Sequence, residues 1–162
     1  RRDEINRFKQ DPECRLFIST DSGATGLNLQ AANIVINLAL PTSSNALPGE
    51  AEYVANQGIN YIQIPVEWEA PNLRQLIAFF EIVTALAGQT IWVHCAKNMR
   101  VSAFIYLYRR LRLSEPAEVA AYPLREVWEP NASWQTFIDQ ALDAFTPSDA
   151  EESTAPPGMP TS

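Results

Sequence analysis

The sequence predicts an α/β protein built on a small, mostly parallel sheet flanked by helices. Three observations carry that expectation. Four short apolar runs rich in β-branched and aromatic residues, at 15–20, 33–38, 59–66 and 90–94, have the composition of strands. Segments with apolar residues at helical spacing lie between and after them, chiefly at 50–56, 73–87 and 100–113. Strands that alternate with helices are joined by crossovers, which make neighbouring strands parallel.

The chain has 162 residues, enough for one domain and a tail. Apolar content of 46% and charged content of 19% are those of a globular protein that buries a real core. A net charge of -7 argues against binding a nucleic-acid backbone, which needs clustered Lys and Arg. It leaves open a small phosphorylated ligand, which needs only a local field. Cys14 and Cys95 read as free thiols of a reducing compartment, and the expected location is the cytoplasm. No apolar run approaches the roughly 18 residues of a membrane span, so no membrane partner is expected. A single His and no Cys cluster make a metal site unexpected, and no cofactor motif is present.

Taken in order, residues 1–11 predict a short charged helix that Pro12 stops. Arg15–Thr20 is the first strand, and a turn of small residues follows at 21–26. Leu27–Ala32 has room for one or two helical turns. Asn33–Leu38 is apolar enough to be buried on both faces. Residues 41–50 are a loop by composition, and Gly58 is placed to end the helix that follows. After the third strand, Glu67 and Glu69 flank Trp68 in a short loop. Leu73, Leu76, Ile77, Phe80 and Val83 give the next helix an apolar stripe, and Gly88 ends it. Residues 116–127 and 133–145 complete the helices, the latter with Trp134, Phe137, Ile138 and Leu142 on one face. From Thr146 on, Pro, Ser, Thr and acidic residues dominate and predict a disordered tail.

The chemistry concentrates at Ile91–Ser102, where an apolar run ends in His94-Cys95 and Ala96-Lys97-Asn98-Met99-Arg100 leads into a helix. A strand-to-helix turn aims backbone N–H groups and the helix dipole at one spot, which favours an anion there. The same field favours the thiolate of Cys95 over the thiol. Arg100 can offer a planar fork to two oxygens of a phosphate-like group. His94, one residue before, points to the other face of the strand and is expected to orient the loop rather than act as a base. Lys97 and Asn98 either contact substrate or shape the turn.

Two resemblances sharpen this reading. Residues 14–38, with Phe17-Ile18-Ser19-Thr20-Asp21-Ser22-Gly23-Ala24-Thr25-Gly26-Leu27, resemble the fifth motif of SWI/SNF-type helicase-like ATPases. The phosphate-binding Gly-Lys-Ser/Thr loop and the Asp-Glu box of those ATPases are absent, so helicase activity is not expected. Residues 34–140 resemble a bacterial phosphatase-like branch of the Cys-dependent protein tyrosine/dual-specificity phosphatase superfamily. The likeness rests on Val35–Ser44, Ile64-Pro65-Val66, Val93-His94-Cys95-Ala96 through Phe104, and Trp128-Glu129-Pro130-Asn131. It implies a tyrosine-phosphatase-like fold over 34–145, with 1–33 as a helicase-like segment that completes the sheet and 146–162 as the tail. It also implies that Cys95 attacks phosphorus while Arg100 and the loop Ala96, Lys97, Asn98 and Met99 hold the phosphate oxygens. Glu67 or Glu69, with a lean to Glu69, would protonate the leaving group. Ser102 would ease release of the thiolate. The implied substrate is a phosphorylated protein or small molecule. The loop departs from the superfamily, with four residues between Cys95 and Arg100 instead of five and no central Gly. A six-residue span is the length found in rhodanese-like sulfurtransferases, which keeps sulfur transfer at Cys95 as an alternative. A fold that binds anions or partners without turnover is another.

Overall fold

A computed structural model describes the backbone of residues 16–20 and the whole of residues 32–145. The expected first helix, the turn at 21–26, most of 27–32, Cys14 and the tail fall outside the described residues. Four strands form one parallel sheet in the order β1-β4-β2-β3, where β1 is Leu16–Thr20, β2 Ile34–Asn37, β3 Asn60–Gln63 and β4 Ile91–Cys95. β4 is central, pairing Thr20 with Cys95 on one side and Asn37 with His94 on the other. The segment that resembles a helicase motif thus supplies an edge strand beside the one that ends in Cys95.

Every residue of β2 and of β4 is buried, as two-sided parallel strands require. Their side chains alternate between two apolar layers. Ile34, Ile36, Ile91, Val93 and Cys95 join the larger one. It contains α2 (Leu73–Ala85), α3 (Met99–Leu111) and α6 (Ala132–Phe145). Val35 and Trp92 face the other way, toward α1 (Glu50–Ala55) through Val54.

Sequence and structure part at particular residues. β3 ends at Gln63 rather than 66: Ile64 N–H still reaches the Asn37 carbonyl, but Val66 N–H bonds the Leu38 carbonyl, one residue on instead of two, so the regular ladder stops. The single helix expected over 116–127 is two short ones, α4 (Ala117–Ala120) and α5 (Tyr122–Val127), with Pro123 in the first turn of the second. In α2 the buried stripe is Leu76, Phe79, Phe80 and Val83, whereas Ile77 is exposed. Gly58 and Gly88 both have positive φ after helix ends, the conformation Gly reaches without a Cβ clash.

Candidate active site at the end of β4

The C-terminal ends of parallel strands and the N-terminus of α3 meet at residues 95–100, the place where open α/β sheets form ligand crevices. Cys95, Ala96, Lys97, Met99 and Arg100 line a cavity of about 380 Å³ there. Ser43, Asn45 and Trp68 close it from facing loops. Cys95 is a free thiol, 1% exposed, at the last position of the strand. Asn98 caps α3 with φ 60, in the left-handed region. Asn adopts that region more readily than other residues with a Cβ, so it can stand where the superfamily's loop carries Gly.

Arg100 is fixed in place on its first helical turn. Its Nε donates to the carbonyl of Val66 at 2.9 Å, and its guanidinium lies 5.4 Å from the Trp68 ring centre. One edge of the fork is thereby tied to the loop after β3, and the terminal nitrogens belong to the side chain that lines the cavity. The carbonyl of Trp68 accepts from Trp134 Nε1 at 2.9 Å, and its ring packs against those of Trp128 and Trp134.

The other expected site residues separate into groups. Cys95, Arg100, Ala96, Lys97 and Met99 share the cavity, and Asn98 shapes the turn between them. Glu67 and Glu69 are exposed and do not line it, because Trp68 between them takes the inward position. Glu69 instead lines a separate groove beside Thr136 and Gln140 of α6. Both candidate acids thus stand at exposed positions on either side of Trp68. Ser102 is 1% exposed; its hydroxyl donates to the carbonyl of Met99 at 2.9 Å and accepts from Trp128 Nε1 at 3.1 Å. These bonds tie the first turn of α3 to the Trp128-Glu129-Pro130-Asn131 segment. Asn131 in turn accepts from the Trp134 backbone N–H at 3.1 Å at the start of α6.

His94 faces away from Cys95's layer, stacked on Trp92, with Nε2 2.8 Å from Glu50 Oε1. Glu50 Oε2 accepts from Asn37 Nδ2 at 2.9 Å and from Tyr61 OH at 3.0 Å. Burial of Glu50 favours its neutral form. The His94 hydrogen bond and charge, with the Tyr61 and Asn37 donors, outweigh that and hold the carboxyl below its ordinary value. Asn37 Oδ1 also accepts from the Ala39 backbone, so the network anchors the loop that carries Ser43 and Asn45 to the cavity. Sequence reading named none of Ser43, Asn45, Glu50, Tyr61 or Asn37 as part of the site. The one available signal was Asn37, a polar residue in a buried apolar strand.

The pattern of the helicase conserved C-terminal domain matches residues 1–64. The match runs past residue 38, where the resemblance read from the sequence ends, through β2 and β3, and overlaps the phosphatase-like part. No curated protein matches the chain. Among solved structures, a candidate phosphatase (DUF442) from Shewanella putrefaciens CN-32 is 28% identical, with 88% of this chain and 97% of that chain covered and a TM-score of 0.72. The core catalytic domain of the PP-IP phosphatase SIW14 from S. cerevisiae is 18% identical over 78% of this chain and 80% of its own, with a TM-score of 0.63. Human DUSP28 is 18% identical over 81% and 93%, with a TM-score of 0.62. No helix among the described residues is long and apolar enough to cross a membrane. The chain thus has the tyrosine-phosphatase-like α/β fold, and its first part is similar to a helicase C-terminal domain.

Proposed function

We propose that the chain is a Cys-dependent phosphatase acting on phosphate esters of small molecules or proteins through a phosphocysteine. The observation that carries this reading is the meeting of Cys95, Arg100 and the N-terminus of α3 in one cavity at the end of the central strand. The Cys95 thiolate attacks phosphorus, an S–P bond forms, and the P–O bond to the leaving group breaks. Arg100 and the loop 96–99 hold the non-bridging oxygens, whose charge the helix N-terminus also favours. Water then cleaves the S–P bond, releases phosphate and regenerates the thiolate. The likeness to the Shewanella candidate phosphatase over nearly its whole length supports the same reading.

Hydrolysis of 4-nitrophenyl phosphate by the full chain, abolished in Cys95→Ser with an unchanged circular dichroism spectrum, is the expected result. Iodoacetate should label Cys95 rapidly near pH 6, and phosphate or vanadate should protect it. Hydrolysis that survives Cys95→Ser, or labelling as slow as that of an ordinary thiol, would overturn the proposal. Sulfur transfer from thiosulfate without phosphate release would replace it with the rhodanese-like alternative.

A further inference from the structure

A second cavity, of about 480 Å³, lies between the loop that follows β2, the start of α1 and the end of β3. That volume falls within the roughly 300–1,000 Å³ typical of small-molecule sites. Pro41, Ala46, Leu47, Pro48 and Ala51 give it an apolar wall. Asn37, Glu50, Tyr61 and Gln63 give it a polar one. Asn37 and Glu50 are 7% and 8% exposed, so the polar wall is built into the fold rather than laid on its surface. Ser43 lines both this cavity and the one that holds Cys95.

The hydrogen bonds of the polar wall leave it short of a proton. Two main-chain acceptors orient Gln63: its Nε2 donates to the carbonyl of Asn37 at 3.3 Å and to that of Ala39. Its Oε1 is thereby turned to the Tyr61 hydroxyl, at 3.0 Å. The same hydroxyl lies 3.0 Å from Glu50 Oε2 and accepts from Asn37 Nδ2 at 3.0 Å. The other N–H of that amide already goes to Glu50 Oε2 at 2.9 Å. A phenol has a single proton to donate, so Tyr61 serves either Gln63 Oε1 or Glu50 Oε2. Whichever it serves, the other acceptor keeps a lone pair for a donor that enters the cavity. Glu50 also brings the one charged side chain of the lining among the described residues. Burial disfavours that charge, but the contacts with His94, Tyr61 and Asn37 outweigh it and hold the carboxyl below its ordinary value. The chain's net charge of -7 adds to the attraction for a cation.

We propose that this cavity is a second ligand site, selective for a small organic ammonium on an apolar body. An ammonium has N–H donors and no acceptor. It fills the missing donor place and does not compete for the Tyr61 proton. Its charge lies beside the Glu50 carboxylate, and its apolar body covers Leu47, Ala51 and the prolines of the loop. A carboxylate or a phosphate brings acceptors to a wall already short of a donor, and Glu50 repels it. A neutral alcohol supplies the donor without the charge and binds less tightly. This preference is opposite to that of the thiol cavity, whose charged lining is Lys97 and Arg100. The two cavities thus sort opposite charges across the loop that carries Ser43.

Isothermal titration calorimetry of the full chain compares probes of one shape: 2-phenylethylammonium, 2-phenylethanol and 3-phenylpropionate. Expected is saturable binding of the amine, binding of the alcohol weaker by about 10-fold or more, the worth of a charge-assisted hydrogen bond, and none of the carboxylate. Inorganic phosphate, which suits the thiol cavity, should leave amine binding unchanged. Glu50→Gln keeps an acceptor but removes the charge, and should weaken the amine by at least about 10-fold. Ala51→Phe, at an exposed position of the lining, fills the cavity without touching the polar network. It should abolish binding, and it tests the site even where Glu50→Gln does not fold. No saturable binding of the amine, equal binding of the carboxylate, displacement of the amine by phosphate, or undiminished binding to either folded variant would each overturn the inference. Turnover at Cys95 is read separately, with 4-nitrophenyl phosphate, so the phosphatase reading and this one stand or fall independently.

Discussion

Replacing Glu50 with Ala tests the network that fastens the strand ends behind the cavity. Glu50 accepts from three donors, but the three losses differ. Tyr61 OH also lies 3.0 Å from Gln63 Oε1, so its proton has a second acceptor. Asn37 Nδ2 also reaches Tyr61 OH at 3.0 Å, so it keeps a partner. The largest single loss is the contact with His94, 1% exposed, because it is the one that pairs the carboxylate with a group able to carry charge, at 2.8 Å. A hydrogen bond to a charged group contributes about 1.5–3 kcal/mol and breaking a buried pair costs about 3–5, so the expected loss is roughly 3 kcal/mol. For a chain of this size that lowers Tm by about 6–12 °C. Urea unfolding followed by tryptophan fluorescence at pH 7 measures it. The pH dependence has a definite sign. Glu50's carboxyl is more acidic folded than unfolded, so its contribution is complete above the ordinary carboxylate pKa and is lost as pH falls through the depressed one. Glu50→Gln keeps an acceptor for Tyr61 and Asn37 but should lack that acid-sensitive component. A Glu50→Ala variant as stable as wild type at pH 7, with an unaltered acid limb, would refute the reasoning.

Two further substitutions probe the loop. Arg100→Lys removes both the Nε bond to Val66 and the planar fork, and should lower kcat on 4-nitrophenyl phosphate by roughly 100-fold or more, the scale of losing an oxyanion donor, while circular dichroism stays unchanged. Asn98→Gly should leave stability within about 0.5 kcal/mol of wild type, since Gly suits φ 60, whereas Asn98→Ala should cost about 1 kcal/mol in urea unfolding.

The fold was legible because it is written in two periodicities. Unbroken apolar runs marked β2 and β4, and stripes at helical spacing marked α2, α3 and α6, within a residue or two. One error lies where a single residue overrides a pattern, at Pro123. The meeting of Cys95 with Arg100 was also legible, because both belong to one strand-turn-helix unit whose geometry is local. So was the outward turn of His94, which follows from alternation along a strand. What His94 turns toward was not legible. Glu50, Asn37, Tyr61 and His94 come from four elements, and no spacing in one chain encodes that their polar atoms converge.

The placement of Glu67 and Glu69 shows the same limit more sharply. Proximity in sequence to the expected acid position located the right loop, which touches the site through Val66 and Trp68. It could not say which of three consecutive residues turns inward, because that choice is made by Trp128 and Trp134, some sixty residues further on. Aromatic packing of this kind contributes about 0.5–1.5 kcal/mol per pair beyond area burial. Two such pairs, with the hydrogen bond from Trp134, outweigh any preference of an exposed carboxylate for the cavity's cations across solvent, where such pairs contribute about 0–1 kcal/mol. The tryptophans that hold the loop therefore also decide which of its side chains faces the cavity.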